Sequence, residues 1–305
     1  MRKLWLAASV VSMLRLSPAI AAQAPVATFK TSVAVVPISA VVQDRRGRMI
    51  TSLTASDFEI IDNGQRRAIL DFHAEQNSPL AIAVLIDTSG SMRVSAKFAL
   101  AHEVLKQLGV VLQDGRDELS LFSFDASLHV EHSFSPHPAA VADALEGAEP
   151  FGTTSLYDAI AQAATQVSER PSPRRALVVL TDGIDTSSAM TASQVSALAS
   201  SIDIPVYVVA TVAPIDRAAY EARVESQPPP EGGDLRELAV WTGGELYWVT
   251  RTEEAAMQAR SIVAELRHEY LITVESADSA GWRPLEVRVR KRALAVRARS
   301  GYFGR

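Results

Sequence analysis

Three short polar clusters, each beside an apolar run, hold the residues of this chain best suited to chemistry. "LIDTSGSM" (85–92) sets Asp87, Ser89 and Ser91 on alternate positions directly after "AIAVLI" (81–86). "FGTTSLYDAI" (151–160) presents Thr153, Thr154 and Ser155 at the start of a helical pattern, and "LTDGIDTS" (180–187) puts Asp182 at the end of a strand pattern. Asp87, Ser89, Ser91, a threonine and Asp182 are all hard oxygen donors. With no imidazole or thiolate among them, the set suits Mg²⁺, Mn²⁺ or Ca²⁺ better than zinc or copper. Only two of the five are charged, and Mg²⁺ keeps several waters, so two or three hydroxyls binding directly, with the carboxylates acting through water, leave a position at a cation facing solvent for a carboxylate from a partner. "DTSGSM" alone reads equally well as a strand-ending turn with a helix N-cap, where Asp and Ser are favoured anyway. The other two clusters shift the balance toward a shared site.

These loops need a scaffold that brings them together, and the pattern from 78 to 267 supplies one. Short β-branched runs at 81–86, 118–124, 176–182, 204–211 and 245–249 alternate with amphipathic stretches at 92–113, 155–168, 192–201, 234–241 and 252–268. That alternation predicts an α/β fold, a mostly parallel sheet with helices on both faces. Residues 127–132, two positions after the second strand, read as its antiparallel hairpin partner at the sheet edge. Thr191 and Gln194 form a capping box for the third helix, and residues 214–233, with "QPPPEGG", read as a surface loop. Open α/β sheets bind ligands at the carboxyl ends of their strands, where all three polar clusters fall. If the strands ending in Asp87 and Asp182 are neighbours, the clusters converge on one rim.

The flanks have period two instead of 3.6. "VAVVPISAVVQ", "FEIID" and "AILDF" precede the α/β region, with Asn63-Gly64 as a hairpin signal, and "YLITVE", "PLEVRVR" and "LAVRARSGYF" follow it. Two small all-β pieces can most simply bury their apolar faces against each other. The expected organisation is an export signal at 1–22, the two parts of one discontinuous β-sandwich-like domain at 28–75 and 269–304, and the α/β domain at 78–267. The signal reading rests on Arg2 and Lys3, the apolar stretch Leu4 to Leu14, and small residues around Ala19, Ala21 and Ala22. It predicts an exported protein in the periplasm, at the cell surface or outside the cell. The chain has 30 basic and 35 acidic residues; without Arg2, Lys3 and Arg15 its net charge moves from −5 to about −8, which argues against a nucleic-acid partner. With no cysteine, disulfides and thiol chemistry are excluded.

Competing chemistries fit less well. No G-x-S-x-G surrounds Ser89 or Ser91, and no Gly-rich loop ends in Gly-Lys-Ser/Thr. An aspartate nucleophile wants a nearby lysine, and the nearest, Lys97, falls inside the 92–113 helical pattern. The six histidines share no metal-binding spacing, since His129 and His132 point to opposite faces of a strand. Asp185 reads as a cap or brace for its loop, Asp158 as a supporting or solvent residue, and Arg288, Arg290 and Arg292 as the solvated face of a strand.

The combination resembles the von Willebrand factor type A domain with its metal-ion-dependent adhesion site, whose pattern is Asp-x-Ser-x-Ser, a distant Thr and a distant Asp. The flanking "LTASDFEIIDNG" (53–64) and "RSGYF" (299–303) also resemble those of a group of exported bacterial proteins carrying that domain. The resemblance implies a Rossmann-like doubly wound sheet and makes Asp87, Ser89, Ser91, Thr154 and Asp182 the metal ligands. Thr153 remains the alternative to Thr154, because this chain has Gly152-Thr153 where the group has two glycines. It further implies a non-enzymatic binding or adhesion module in which a protein partner's acidic residue completes the shell of a Mg²⁺, Mn²⁺ or Ca²⁺ ion. The alternatives are a metal-dependent hydrolase at the same rim and a purely structural metal.

Overall fold

Four flanking strands, β1 (Val35–Asp44), β2 (Phe58–Asp62), β3 (Gln65–Arg67) and β4 (Ile69–His73), lead into a central sheet of β5 (Leu80–Asp87), β6 (Glu118–Phe124), β7 (Leu128–Ser135), β8 (Arg174–Thr181), β9 (Val206–Thr211) and β10 (Leu246–Val249). The structure, a computed structural model, describes residues 35–74, 78–145, 149–218, 234–276 and 280–304. The expected signal at 1–22 and the "QPPPEGG" stretch lie outside the described residues; 214–218, also expected as loop, are helical. Among the described residues no helix is long and apolar enough to cross a membrane.

The central sheet has the order β10-β9-β8-β5-β6-β7, parallel except for β7, which pairs antiparallel with β6 as the hairpin reading predicts. Every residue of β5 is buried, which is why a central parallel strand reads as an unbroken apolar run. Its side chains nevertheless sort by the pleat. Leu80, Ile82, Val84 and Ile86 join one core, packed by α1 (Lys97–Val111), α2 (Pro138–Ala142) and the last helix of the α/β unit. Ala83 and Leu85 join the other, under α3 (Leu156–Ser168), α4 (Ala192–Ser201) and α5 (Leu235–Thr242). The last helix, α6 (Thr252–Arg267), lies along α1 and buries Ala255, Ala259, Ile262, Val263 and Leu266 at helical spacing. Thr191 and Gln194 form the expected capping box of α4, and Asp234 caps α5.

The helix expected at 92–113 is split. Gly90–Ala96 form a tight turn of 3₁₀ character, and α1 begins only at Lys97. Ser95 (φ 57°) and Ala96 (φ 58°) are both left-handed, and two such residues cannot lie inside a right-handed helix. Within the turn Val94 is exposed, whereas Met92 is fully buried.

The flanks build two antiparallel sheets, β13-β1-β11-β4 and β14-β12-β2-β3, with β11 (Tyr270–Glu275), β12 (Gly281–Val289), β13 (Leu294–Ala298) and β14 (Gly301–Gly304). Between them lies a third core drawn from both ends of the chain, including Val36, Ile38, Phe58, Ile60, Tyr270, Ile272, Leu285 and Tyr302. The fold class is thus α/β with a flanking all-β sandwich. One local expectation is corrected. Asn63 (φ 48°) and Gly64 (φ 77°) do make a two-residue hairpin, but its second strand is Gln65–Arg67 and not "AILDF". β4 crosses instead to the other sheet and pairs with β11, where Phe72 packs 5.6 Å from the Tyr270 ring.

Asp62, at the hairpin, has no exposed surface and accepts from Arg283 (Nε 2.8 Å, and a second nitrogen at 2.9 Å), Arg67 (3.0 Å) and the Tyr302 hydroxyl (3.2 Å). Arg283 is itself buried, so removing the carboxylate strands a guanidinium in the interior. Asp62→Ala is expected to destabilise the fold by about 3–5 kcal/mol. Arg67→Ala, which removes only a partly exposed partner, is expected to cost less than about 1 kcal/mol; urea unfolding distinguishes the two.

Candidate metal centre

Asp87 and Asp182 reach the same rim because β5 and β8 are parallel neighbours, with Ile86 opposite Leu180. Asp87 ends β5 in phase with Ala83 and Leu85, and Thr181 ends β8 in phase with Leu177 and Val179. Both therefore turn toward the same face, and the Thr181 hydroxyl donates to Asp87 Oδ2 at 2.6 Å. The other oxygen, Oδ1, accepts the Ser89 backbone N–H at 2.9 Å. Ser89 and Ser91 follow on alternate positions, their hydroxyls 3.2 Å apart. Asp182, in the opposite phase, faces the start of α1, where Lys97 Nζ lies 2.8 Å from its Oδ2. The pair is nearly closed to solvent, Asp182 being 1% and Lys97 15% exposed. The split of the helix at 95–96 puts Lys97 in the first position of α1, so the expectation that it lies inside a helix, away from the site, is overturned.

The second cluster is tied to both others by backbone hydrogen bonds. The Phe151 N–H donates to Thr88 O at 2.7 Å and the Gly90 N–H to Gly152 O at 3.1 Å. On the other side Thr186 and Ser187 donate to Thr154 O at 2.9 and 3.0 Å, and the Thr186 hydroxyl accepts from the Thr154 N–H at 2.9 Å. Thr154 is buried beside this junction while Thr153 is exposed. All three clusters thus belong to one hydrogen-bonded rim. Asp185 accepts the Leu156 N–H at 2.9 Å and so caps α3 across the loops, and Asp158 accepts from the N–H groups of Ala189 and Met190. Thr181 and Thr186 went unnoticed in the sequence. Only Thr181 left a signal, a polar residue in phase with two buried ones.

Burial pushes the Asp87 carboxyl up to about 6, with Asp182 adding to the shift, against the lowering effect of the bonds from Ser89 and Thr181. The donor set fits a small divalent ion. With metal–oxygen distances of about 2.0–2.1 Å, adjacent ligands of an octahedron stand about 3 Å apart, close to the Ser89–Ser91 hydroxyl separation. Among the described residues no cluster of three or more His, Cys, Asp or Glu is placed to hold a metal. An ion here would therefore depend on hydroxyl oxygens. Lys97 already brings one positive charge to the Asp182 carboxylate.

A carboxyl whose folded pKa is raised binds its proton more tightly in the native state. Its contribution to stability is present below about pH 4 and is lost as the pH rises through about 6. In metal-free buffer, Asp87→Asn is therefore expected to gain stability relative to the unmodified chain between pH 4.5 and 7.5, by roughly 2 kcal/mol. Urea unfolding in EDTA at the two pH values checks this, and an unchanged difference would contradict it.

Residues 82–184 match the family model described as von Willebrand factor type A domain. No curated protein is significantly similar to the chain in sequence. Among solved structures, the von Willebrand factor type A protein from Catenulispora acidiphila is 14% identical, over 90% of this chain and 76% of that one, with a TM-score of 0.49. An aerotolerance-related membrane protein from Bacteroides fragilis is 19% identical over 61% of this chain and 98% of that one, with a TM-score of 0.48. Proximal thread matrix protein 1 from the mussel byssus, with a zinc-occupied MIDAS motif, is 12% identical over 67% of this chain and 49% of that one, with a TM-score of 0.49. The match at 82–184 spans the strand that ends in Asp87, the threonine cluster and the strand that leads to Asp182, and the six-stranded α/β unit that contains them has the von Willebrand factor type A fold.

Proposed function

We propose that this protein is an exported, non-enzymatic binding module that engages the carboxylate of a protein partner through a divalent cation at the Asp87/Ser89/Ser91/Thr154/Asp182 rim. The observation that carries the proposal is the convergence of two buried carboxylates and two neighbouring hydroxyls at the carboxyl ends of adjacent parallel strands. Asp87, Ser89, Ser91, Thr154 and Asp182 would hold the ion, with Mg²⁺ first and Mn²⁺ or Ca²⁺ as substitutes. The ion supplies Lewis acidity toward an oxygen of the partner's acid. The export signal at 1–22 and the discontinuous β domain belong to the same reading, the β domain serving as the platform that presents the rim.

The hydrolase alternative gains Lys97, which lies where a phosphoryl-binding lysine could act. It loses on the nucleophile. Asp87 has no exposed surface, and each of its oxygens accepts a short hydrogen bond from within the fold. A substrate's electrophilic centre is too bulky to reach a carboxylate with no exposed surface, whereas each oxygen keeps a second lone pair for a small ion.

The cation is tested with calorimetry and thermal melting. Mg²⁺ or Mn²⁺ at a hundredfold excess over its Kd is expected to stabilise the protein by about 2.7 kcal/mol, and Asp87→Ala with Ser89→Ala is expected to abolish the shift. An identical melting point with Mg²⁺ and with EDTA would refute the metal. Lys97→Met removes the internal cation that competes for Asp182 and is expected to tighten Mg²⁺ binding about tenfold, which is about 1.4 kcal/mol.

A further inference from the structure

Twelve large hydrophobic side chains stand exposed among the described residues, and four of them lie on the three loops that carry the oxygen donors or on the segment after β9. They are Val94 (59% exposed) in the turn after β5, Phe151 (77%) in the segment before α3, Ile184 (41%) after β8, and Ile215 (86%) after β9. The three loops that supply the oxygen donors therefore carry one such side chain each. Single exposed hydrophobic residues are ordinary. These three stand on backbones fixed to one another by the hydrogen bonds of Phe151 to Thr88, Gly90 to Gly152, and Thr186 and Ser187 to Thr154. Exposed apolar side chains on loops joined in this way, with the oxygen donors on the same loops, have the composition of a partner-binding surface.

We infer that Val94, Phe151 and Ile184 form an apolar collar that selects the partner. They favour a protein segment presenting an Asp or Glu side chain whose neighbours within two positions are aliphatic or aromatic. The inference rests on the metal reading above and deepens it. An ion held by Asp87 and Asp182, next to the Lys97 ammonium, keeps a net positive charge, so the centre takes an anion. The other carboxylates of the rim are already engaged. Asp185 and Asp158 accept backbone N–H groups, and Asp125 accepts the Ser127 N–H and faces His129 at 3.5 Å. The collar sets the specificity, because apolar contacts around the acid exclude water and strengthen its attraction to the cation. A small hydrophilic anion gains nothing from the collar and loses that protection.

The test is selection of a random twelve-residue peptide display library on the full chain in Mg²⁺, with elution by EDTA, alongside calorimetry of Mg²⁺ binding. Enrichment of peptides with an acid flanked by aliphatic or aromatic residues is the expected result. In the double variant Phe151→Ser, Ile184→Ser, affinity for those peptides is expected to fall about tenfold or more while Mg²⁺ affinity stays unchanged. If the eluted peptides carry acids in polar contexts, if the double variant binds them as before, or if Mg²⁺ binds and EDTA releases no peptide, the collar is refuted and the metal reading stands. If calorimetry detects no Mg²⁺ binding, the metal reading fails, and the collar with it.

Discussion

Everything at the rim follows from one constraint. Two carboxylates, Asp87 and Asp182, sit at the ends of adjacent parallel strands with almost no exposed surface. A buried charge must be paired or neutralised, and the two residues meet that demand differently. Asp87 is held by a hydroxyl and an amide, neither of them charged, so burial raises its pKa to about 6. Asp182 is held by an ammonium, Lys97. The pleat separates them, since Asp87 follows the phase that turns toward α3 and α4 and Asp182 follows the phase that turns toward α1. Asp87 and Asp182 would hold an ion only together with the hydroxyls of the loops above the end of the sheet. The loops carry their hydroxyls there, on backbones hydrogen-bonded from one to the next.

Most of this architecture was legible because parallel strands and amphipathic helices leave strong, distinct periodicities. The strands at 81–86, 118–124 and 204–211, the capping box at Thr191 and the hairpin at Asn63-Gly64 each carry a local cause in their own residues. What the sequence concealed depends on partners far away in the chain. The break between the 90–96 turn and α1 comes from Ser95 and Ala96, two residues with no preference for a left-handed backbone, and it decides that Lys97 reaches Asp182. The assignment of Ile69–His73 to one sheet and Gln65–Arg67 to the other depends on β11, some 200 residues later in the chain, and not on the hairpin beside them.

The β sandwich is more than a neighbour of the α/β unit, because charged side chains join the two. Arg297 of β13 reaches Glu245, ahead of β10, and Glu265 of α6; Glu265 also accepts from Tyr247 and Gln43. Arg299 donates to the carbonyls of Ser200 and Pro37, one from each unit. Arg174, fully buried at the start of β8, holds the carbonyls of Leu266 and Glu269 where α6 passes into β11. Burial pushes the Glu269 carboxyl up to about 8 in the same region. Apolar contacts are forgiving of small sliding, whereas hydrogen-bonded charges out of water are directional. The carboxyl end of α6 is therefore fixed to the sandwich more stringently than its flank is fixed to α1.

The far end of the same helix pair is different in kind. α1 starts from a turn whose last two residues, Ser95 and Ala96, are left-handed, a conformation costing about 1–2 kcal/mol per residue. Strain of this size persists only where surrounding contacts determine it. Here the contacts are the buried Met92 below the turn and the Lys97–Asp182 pair beyond it. A divalent ion at the rim would share Asp182 with Lys97 and so weaken one of these two supports. α1 itself is anchored independently by Leu100, Val104, Leu105 and Leu108. Charge at the rim and backbone strain at the start of α1 are then coupled through a single side chain.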